Sequence, residues 1–224
     1  MERFSRVEMS VLVRVVLLVL LVLSSNAAPA PEECKMPEKV KGEDVHKLKG
    51  ASWVLVEAFT DYPAGVMLLS GANSSLVEMS LNNDNNSFLF VERNIVNDKC
   101  LTFYVNMSVP DPEASNQTLQ LAGPGLQDFD GEVSPYDDEG KLNVYQSCPH
   151  CLLIIYSGVF DGTAGRMLLI YRQEGKHLDT EELTAARSVH REIAECLKFM
   201  VPSHFKYDGK AEFCLEKKDD EKDA

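Results

Sequence analysis

The chain has 224 residues and a formal net charge of −13, with 22 Lys and Arg residues against 35 Asp and Glu. Nucleic acids and anionic membranes both require a basic surface, so this balance argues against either as a partner and weakly favours cationic ligands. The length suits a single domain with a complete hydrophobic core.

Residues 1–27 have the pattern of a secretory signal peptide. The apolar run VVLLVLLVL follows basic residues and leads to small residues at Ala27, where cleavage is expected. The alternative, a retained anchor, requires a longer apolar run, and no later segment is apolar enough to cross a bilayer. We therefore expect a secreted protein without a membrane span, in which an extended N-terminal arm (28–50) precedes the folded domain (51–214).

Eight segments rich in Val, Ile, Leu, Phe and Tyr predict β-strands separated by short turns. They are residues 53–59, 76–81, 87–95, 99–109, 118–121, 141–147, 152–159 and 167–173. Residues 61–72 predict a long loop or lid with a short helical turn, because Pro63, Gly65 and Gly71 interrupt them. The Pro- and Gly-rich stretch 123–140 is compatible with either a loop or an extension of the neighbouring strands.

An amphipathic helix is predicted after the last strand. Its apolar stripe consists of Leu183, Ala186, His190, Ile193 and Leu197. Asp179 is a suitable N-cap, and Glu182 completes the spacing of a capping box. Residues 199–214 are expected to run extended, and the charged segment 215–224 is expected to be a disordered tail.

The strand pattern predicts an all-β fold. Eight short strands joined by hairpin-length links, with one C-terminal helix outside, favour an up-and-down antiparallel barrel, because closure removes both sheet edges. Such a barrel has an interior just wide enough for one small ligand. An open β-sandwich is the alternative.

Cysteines and sequons indicate how the exported chain is modified. An even number of cysteines in such a chain implies disulfides, although six cysteines allow 15 pairings. Four N-x-S/T sites predict glycosylation. The cysteines are Cys34, Cys100, Cys148, Cys151, Cys196 and Cys214, and the sequons are at Asn73, Asn85, Asn106 and Asn116.

The motif Cys148-Pro149-His150-Cys151 allows three interpretations. A redox motif requires a helix N-terminus in a βαβ setting, whereas this one lies between two β-prone runs. A metal site requires further ligands, and none is nearby in the sequence, so no metal is expected. A local disulfide across a turn is favoured.

Several segments resemble the lipocalin family. KGASWVLVEAF is similar to the family's Gly-x-Trp block, and LLIYRQEGKHL to the block before its C-terminal helix. DKCLTFYVN, AECLKF and EFC resemble alpha-1-acid glycoprotein. The APAPEEC start of the exported chain, its single-domain length and its acidity resemble the fish plasma lipocalins that bind tributyltin, saxitoxin or tetrodotoxin. The resemblance implies that Arg172 stacks on Trp53 at the closed barrel floor. It also implies the pairings of Cys34 with Cys196 and of Cys100 with Cys214.

Side-chain alternation predicts which residues line the barrel cavity. An inward Trp53 places the next alternate residues of its strand inside, and a glycan at Asn106 turns its strand neighbours inward. In strand 87–95, alternation groups Phe88, Phe90, Glu92 and Asn94 on one face, and the resemblance to alpha-1-acid glycoprotein implies that this face lines the cavity. The predicted ligand-binding set is Leu55, Glu57, Phe59, Phe88, Phe90, Glu92, Asn94, Phe103, Val105, Leu169 and Tyr171. For strand 152–159, alternation leaves open whether Ile154 and Tyr156 or their neighbours face inward.

The two carboxylates of this set are the most informative members. A carboxylate inside a barrel is costly unless it is paired or hydrated, so an inward Glu57 or Glu92 suits a cationic ligand. A slip of one residue in register would place either on the surface.

The sequence therefore predicts a secreted plasma carrier for a small hydrophobic or cationic molecule, monomeric and without cofactor or catalysis. The alternatives are a lipocalin-fold enzyme and a secreted protein that acts through its surface. No G-x-S-x-G, H-E-x-x-H or phosphate-binding Gly loop is present in the sequence.

Overall fold

The computed structural model describes residues 33–41, 44, 48–82, 87–108, 118–136, 140–160 and 163–214. The predicted signal peptide, the charged tail and the sequons at Asn85 and Asn116 lie outside these residues. The strands are β1 (Glu38–Lys39), β2 (Ser52–Thr60), β3 (Ala72–Leu81), β4 (Ser87–Val96), β5 (Lys99–Ser108), β6 (Leu119–Leu121), β7 (Gly125–Phe129), β8 (Glu132–Tyr136), β9 (Lys141–Cys148), β10 (Cys151–Phe160), β11 (Thr163–Gln173) and β12 (Phe205–Lys206). The helices are α1 (Pro63–Gly71) and α2 (Thr180–Cys196).

The strands close into an eight-stranded antiparallel barrel. Consecutive strands pair from β2 to β5 and from β9 to β11, and β11 pairs with β2. The stretch 123–140, which the sequence left open, contributes β7 and β8. The pairs Leu119–Leu142 and Gly125–Tyr136 share one antiparallel register, so β6 with β7 and β8 with β9 form one long, interrupted hairpin. The predicted barrel is confirmed, and the open sandwich is wrong.

Helix α2 packs on the outside of the barrel. The Asp179 side chain accepts a hydrogen bond from the backbone N–H of Glu182 at 3.1 Å, so the predicted N-cap is present. On its buried face, Ile193 and Leu197 join a hydrophobic cluster with outward-facing residues of β10 and β11, including Leu153. None of the described helices is long and apolar enough to span a membrane.

The segment between β2 and β3 folds as helix α1 rather than as the predicted loop with a short helical turn. Pro63 occupies the first turn, where its missing N–H is not needed. Gly65 is buried so closely against Thr60 and Tyr62 that a Cβ atom there would lie 2.4 Å from the Thr60 hydroxyl oxygen. Pro63 and Gly65, two of the three residues that suggested a loop, thus let this helix start against the barrel.

All six cysteines form disulfides in the three predicted pairs. Cys34–Cys196 ties the N-terminal arm to the end of α2, with a sequence separation of 162 residues. Cys100–Cys214 ties β5 to the C-terminal segment, and Cys148–Cys151 closes the turn between β9 and β10. The CPHC motif thus forms the favoured local disulfide, on a turn between two strands rather than at the helix N-terminus that the redox interpretation requires.

The segment 199–214 completes the barrel wall. Strand β2 pairs with β3 only over its first three residues, 52–54. Where the two strands diverge, β12 pairs with β2 instead, so that Phe205 lies opposite Ala58. The Phe205 side chain is buried in the cluster that fills the barrel interior.

A β-bulge in β2 changes which residues face inward. Leu55 pairs with Tyr171 and Glu57 pairs with Ile170, so Val56 is the extra residue between them. An extra residue shifts the alternation by one position. Leu55 therefore faces the interior, whereas Glu57 lies on the outer surface of the barrel.

Candidate ligand-binding cavity

The barrel encloses a cavity of about 290 Å³ with mostly apolar walls. Seven residues of the predicted set line it: Leu55, Phe90, Glu92, Asn94, Phe103, Val105 and Leu169. Phe88 and Tyr171 belong to the fully buried core beside the cavity. A volume near 300 Å³ is at the lower end of the range for small-molecule sites.

The structure adds lining residues that the sequence did not identify. Leu68 and Leu69 come from α1, which lies across the end of the barrel, and Gln127 and Tyr136 come from the long hairpin. Met107 also lines the cavity, on the same face of β5 as Phe103 and Val105. In β10, Ile154 and Tyr156 face the cavity, which resolves the choice that the sequence left open.

Glu92 is the only carboxylate in the cavity wall formed by the described residues. Ser75 donates a hydrogen bond to its Oε1 atom at 3.3 Å. Burial raises the pKa of the Glu92 carboxyl above its ordinary value. Hydrogen bonding to Ser75, Asn94 and Tyr171 opposes this rise in pKa without cancelling it. Because no lining residue of the described chain is basic, the carboxylate has no opposite charge in the cavity.

Tyr171 adds a second polar group next to Glu92. Its side chain is fully buried, and its hydroxyl lies beside Glu92 and Ser75, with which it interacts outside strict hydrogen-bond geometry. Burial and the nearby charge of Glu92 both raise the pKa of the Tyr171 hydroxyl, so it remains a neutral donor. The hydroxyl is therefore placed to support the Glu92 carboxylate from behind the cavity wall.

The chain is similar in sequence to two curated proteins and similar in fold to solved lipocalin structures. The chain is 37% identical over 210 residues to saxitoxin and tetrodotoxin-binding proteins 1 and 2 of Takifugu pardalis. The matched region covers 92% of this chain, and the chain spans about half the length of these relatives, 51%. The solved structure of the siderocalin Ex-FABP superimposes with a TM-score of 0.50 at 10% identity, covering 75% of this chain and 94% of that one. No family model matches the chain.

The chain has the lipocalin fold and is related in sequence to these two proteins. Its disulfides and barrel agree with the family resemblance of the sequence, but the floor of this lipocalin differs from what the resemblance implied. Trp53 and Arg172 are both buried there, and the Arg172 guanidinium forms an ion pair with Glu182 of α2. In the described part of the lipocalin, the cation–π contacts are Lys99 over Phe129 and Arg166 over Phe199, so the predicted stacking of Arg172 on Trp53 is not formed.

The placement of Glu57 and Phe59 corrects the alternation argument. The bulge at Val56 turns both side chains out of the barrel, toward α2. Phe59 packs in the outer hydrophobic cluster, and Glu57 pairs with the Nδ1 atom of His190 at 3.3 Å. Neither residue lines the barrel cavity.

Glu57 instead borders a second, smaller cavity of about 150 Å³ between β2, α2 and the C-terminal segment. Burial tends to raise the pKa of Glu57, but hydrogen bonding to His190 and the charges of His190 and Lys206 outweigh it. The pKa of Glu57 is therefore lowered below 4.5. The pair holds the helix against the barrel wall of the lipocalin.

We expect Glu57→Gln to reduce stability at neutral pH and to lose that effect in acid. A carboxyl with a lowered pKa stabilises the folded state above its unfolded pKa, and the contribution disappears as pH falls through the folded pKa. Urea unfolding of both proteins between about pH 7 and about pH 3 measures the difference. The difference should shrink below pH 4.5, the unfolded value. A difference that stays constant across this range would show that folding does not lower the pKa of Glu57.

Two of the predicted glycosylation sites can be located on the surface. The side chains of Asn73, at the start of β3, and Asn106, in β5, are both exposed. Asn106 points away from the interior, as the alternation argument required for Phe103 and Val105 to face the cavity. Glycan attachment at these positions remains a prediction.

Proposed function

We propose that this lipocalin is a secreted plasma carrier that binds a small lipophilic or cationic molecule in the barrel cavity and does not transform it. The observation that supports the proposal is an apolar cavity whose wall contains one carboxylate, Glu92, and no basic residue among the described positions. Apolar walls hold the body of a ligand, while a few polar groups orient it.

The polar groups suggest how a cation would be held. The Glu92 carboxylate would accept hydrogen bonds from an ammonium or guanidinium group, with the amide of Asn94 beside it. The buried hydroxyl of Tyr171, beside the cavity, would support the Glu92 carboxylate by donating to it. The names of the Takifugu relatives refer to saxitoxin and tetrodotoxin, so guanidinium compounds are the first ligands to test. Organotin compounds are the second, on the basis of the sequence resemblance.

The carrier proposal is tested by displacing a fluorescent hydrophobic dye with a matched pair of ligands, octylguanidinium and octanol. Wild-type protein should bind octylguanidinium more tightly than octanol. Glu92→Gln should weaken octylguanidinium binding about tenfold to a hundredfold, because a charge-assisted hydrogen bond contributes ~1.5–3 kcal/mol. Octanol binding should change little.

Glu57→Gln is the matched control, since it removes an equivalent carboxylate outside the barrel and should leave both affinities unchanged. The proposal fails if no tested compound, including tributyltin and a steroid, binds more tightly than about 1 mM. Equal loss in both variants would remove Glu92 from the proposed site.

The alternatives receive less support from the structure. A lipocalin-fold enzyme with a cavity thiol has no residue to use, because all six cysteines are in disulfides. A protein that acts only through its surface would have a filled barrel, and a cavity of about 290 Å³ argues against that.

A further inference from the structure

The open end of the barrel carries most of the exposed large apolar side chains of the described chain. Ten such side chains are exposed in all. The seven at or beside this end are Met67, Leu68, Phe129, Val133, Val159, Met200 and Val201, and the other three are Leu126, Leu178 and Val189. We call the group of seven the apolar rim.

Backbone hydrogen bonds show that these residues share one end of the molecule. The end of α1 contacts the β4–β5 turn, where the N–H of Asn97 donates to the carbonyl of Gly71 at 2.9 Å. The β7–β8 turn contacts the start of β5 through Asp130 and Cys100, at 2.8 Å. The exit of β2 contacts the start of β11, and the N–H of Met200 donates to the carbonyl of Thr60 at 3.2 Å.

Helix α1 is the most apolar part of the rim. Its sequence, PAGVMLLSG, contains no charged residue. Gly65 and Leu69 face the protein, yet the opposite side is exposed and also apolar, with Met67 at 72% and Leu68 at 39% exposure. A helix that is apolar on all sides is normally buried on all sides. Water is therefore an unfavourable environment for the outer face of α1.

We propose that the apolar rim docks on a zwitterionic phospholipid surface. The outer face of α1 presents Ser70 as its one side-chain hydrogen-bonding group, whereas protein interfaces carry about one hydrogen bond per 100–200 Å². A face with one hydroxyl and no charged side chain suits hydrocarbon better than a polar partner surface. The net charge of −13 selects against anionic headgroups and favours neutral ones.

Docking through this end would place the mouth of the cavity at the lipid surface. Leu68 belongs both to the rim and to the cavity wall, so the two apolar surfaces are continuous there. A lipophilic ligand could then pass between bilayer and cavity without crossing bulk water. This consequence rests on the proposed carrier function, but the docking itself does not.

Flotation with phosphatidylcholine vesicles tests the docking. Wild-type protein should float with the vesicles, and the bound fraction should fall when phosphatidylserine is added. Met67→Ser combined with Val159→Ser should reduce partitioning about tenfold or more, because two exposed apolar side chains are lost from the contact. Neither residue lines the cavity, so octylguanidinium affinity should not change.

The matched control replaces Leu178 and Val189 by serine, two side chains with 54% and 51% exposure that lie away from the rim. This variant should float like the wild type. The proposal is overturned if wild-type protein does not associate with phosphatidylcholine, or if both variants lose binding equally. Light scattering that shows a dimer broken by the Met67 and Val159 changes would overturn it in favour of a second copy. Failure of flotation with octylguanidinium binding intact would leave the carrier proposal standing.

Discussion

Replacement of Phe59 by alanine should lower the free energy of unfolding by about 3–5 kcal/mol and leave ligand affinity unchanged. The ring is 2% exposed and packs in the cluster between the barrel wall and α2. Its removal leaves a void between the two layers, outside the cavity. Urea unfolding measures the first effect and titration with octylguanidinium the second.

Phe90→Ala is the informative comparison, because Phe90 is also buried but lines the cavity. It should destabilise the protein and, by enlarging the cavity, also change ligand affinity. If Phe59→Ala altered affinity as Phe90→Ala does, the bulge at Val56 would be misplaced, and alternation along β2 would continue unbroken.

Removal of the Cys34–Cys196 disulfide, by alanine at both positions, should lower the free energy of unfolding by about 5 kcal/mol. In the chain-entropy model, a crosslink stabilises by restricting the unfolded chain, and this effect grows with the enclosed loop. The sequence separation here is 162 residues. Thermal and urea unfolding of the oxidised proteins would measure the loss.

The Cys148–Cys151 disulfide provides the contrast within the same protein. Its sequence separation is three residues, so the same double replacement should cost only about 2 kcal/mol. Equal losses at the two positions would contradict the entropic explanation. They would indicate that the long-range disulfide acts through the contacts it holds in the folded state.

Alternation predicted the cavity wall well where strands are regular. Strands β4 and β5 pair without a bulge over their whole length, so Phe90, Glu92 and Asn94 all face inward as expected. The same rule succeeded for Phe103 and Val105, which were oriented by the expected glycan at Asn106. In these strands the period of two residues, once anchored at one position, determines the rest.

The rule failed in β2 because one extra residue reverses it. The sequence around Val56 is WVLVEAF, with no Gly or Pro to mark a bulge. The bulge depends on the three strands that neighbour β2. Strand β2 turns from β3 toward β12 while it stays paired with β11. The placement of Glu57 beside His190 follows from that turn. It could not be predicted from the sequence of β2 or of α2 alone.

Tertiary packing also determined the secondary structure of the segments rich in Gly and Pro. Helix α1 has little hydrophobic asymmetry, so periodicity could not identify it, and it forms because Gly65 and Leu69 pack against the barrel. Strands β7 and β8 contain Gly125 and Pro135, residues that are unfavourable in strands. They form because the register of the β6–β9 pair continues through them.

The C-terminal segment sets the order in which the protein can mature as it is synthesised. Strand β12 closes the wall beside β2, but it is synthesised after every other barrel strand. A growing chain that has formed all eight barrel strands but not β12 still has a gap in the wall next to Ala58. The wall is complete only when Phe205 packs into that gap. Cys214 can then reach Cys100 and form the disulfide that holds the C-terminal segment in place. Loading with a guest molecule is therefore expected to be a late event in biogenesis, after translation of the segment that seals the wall.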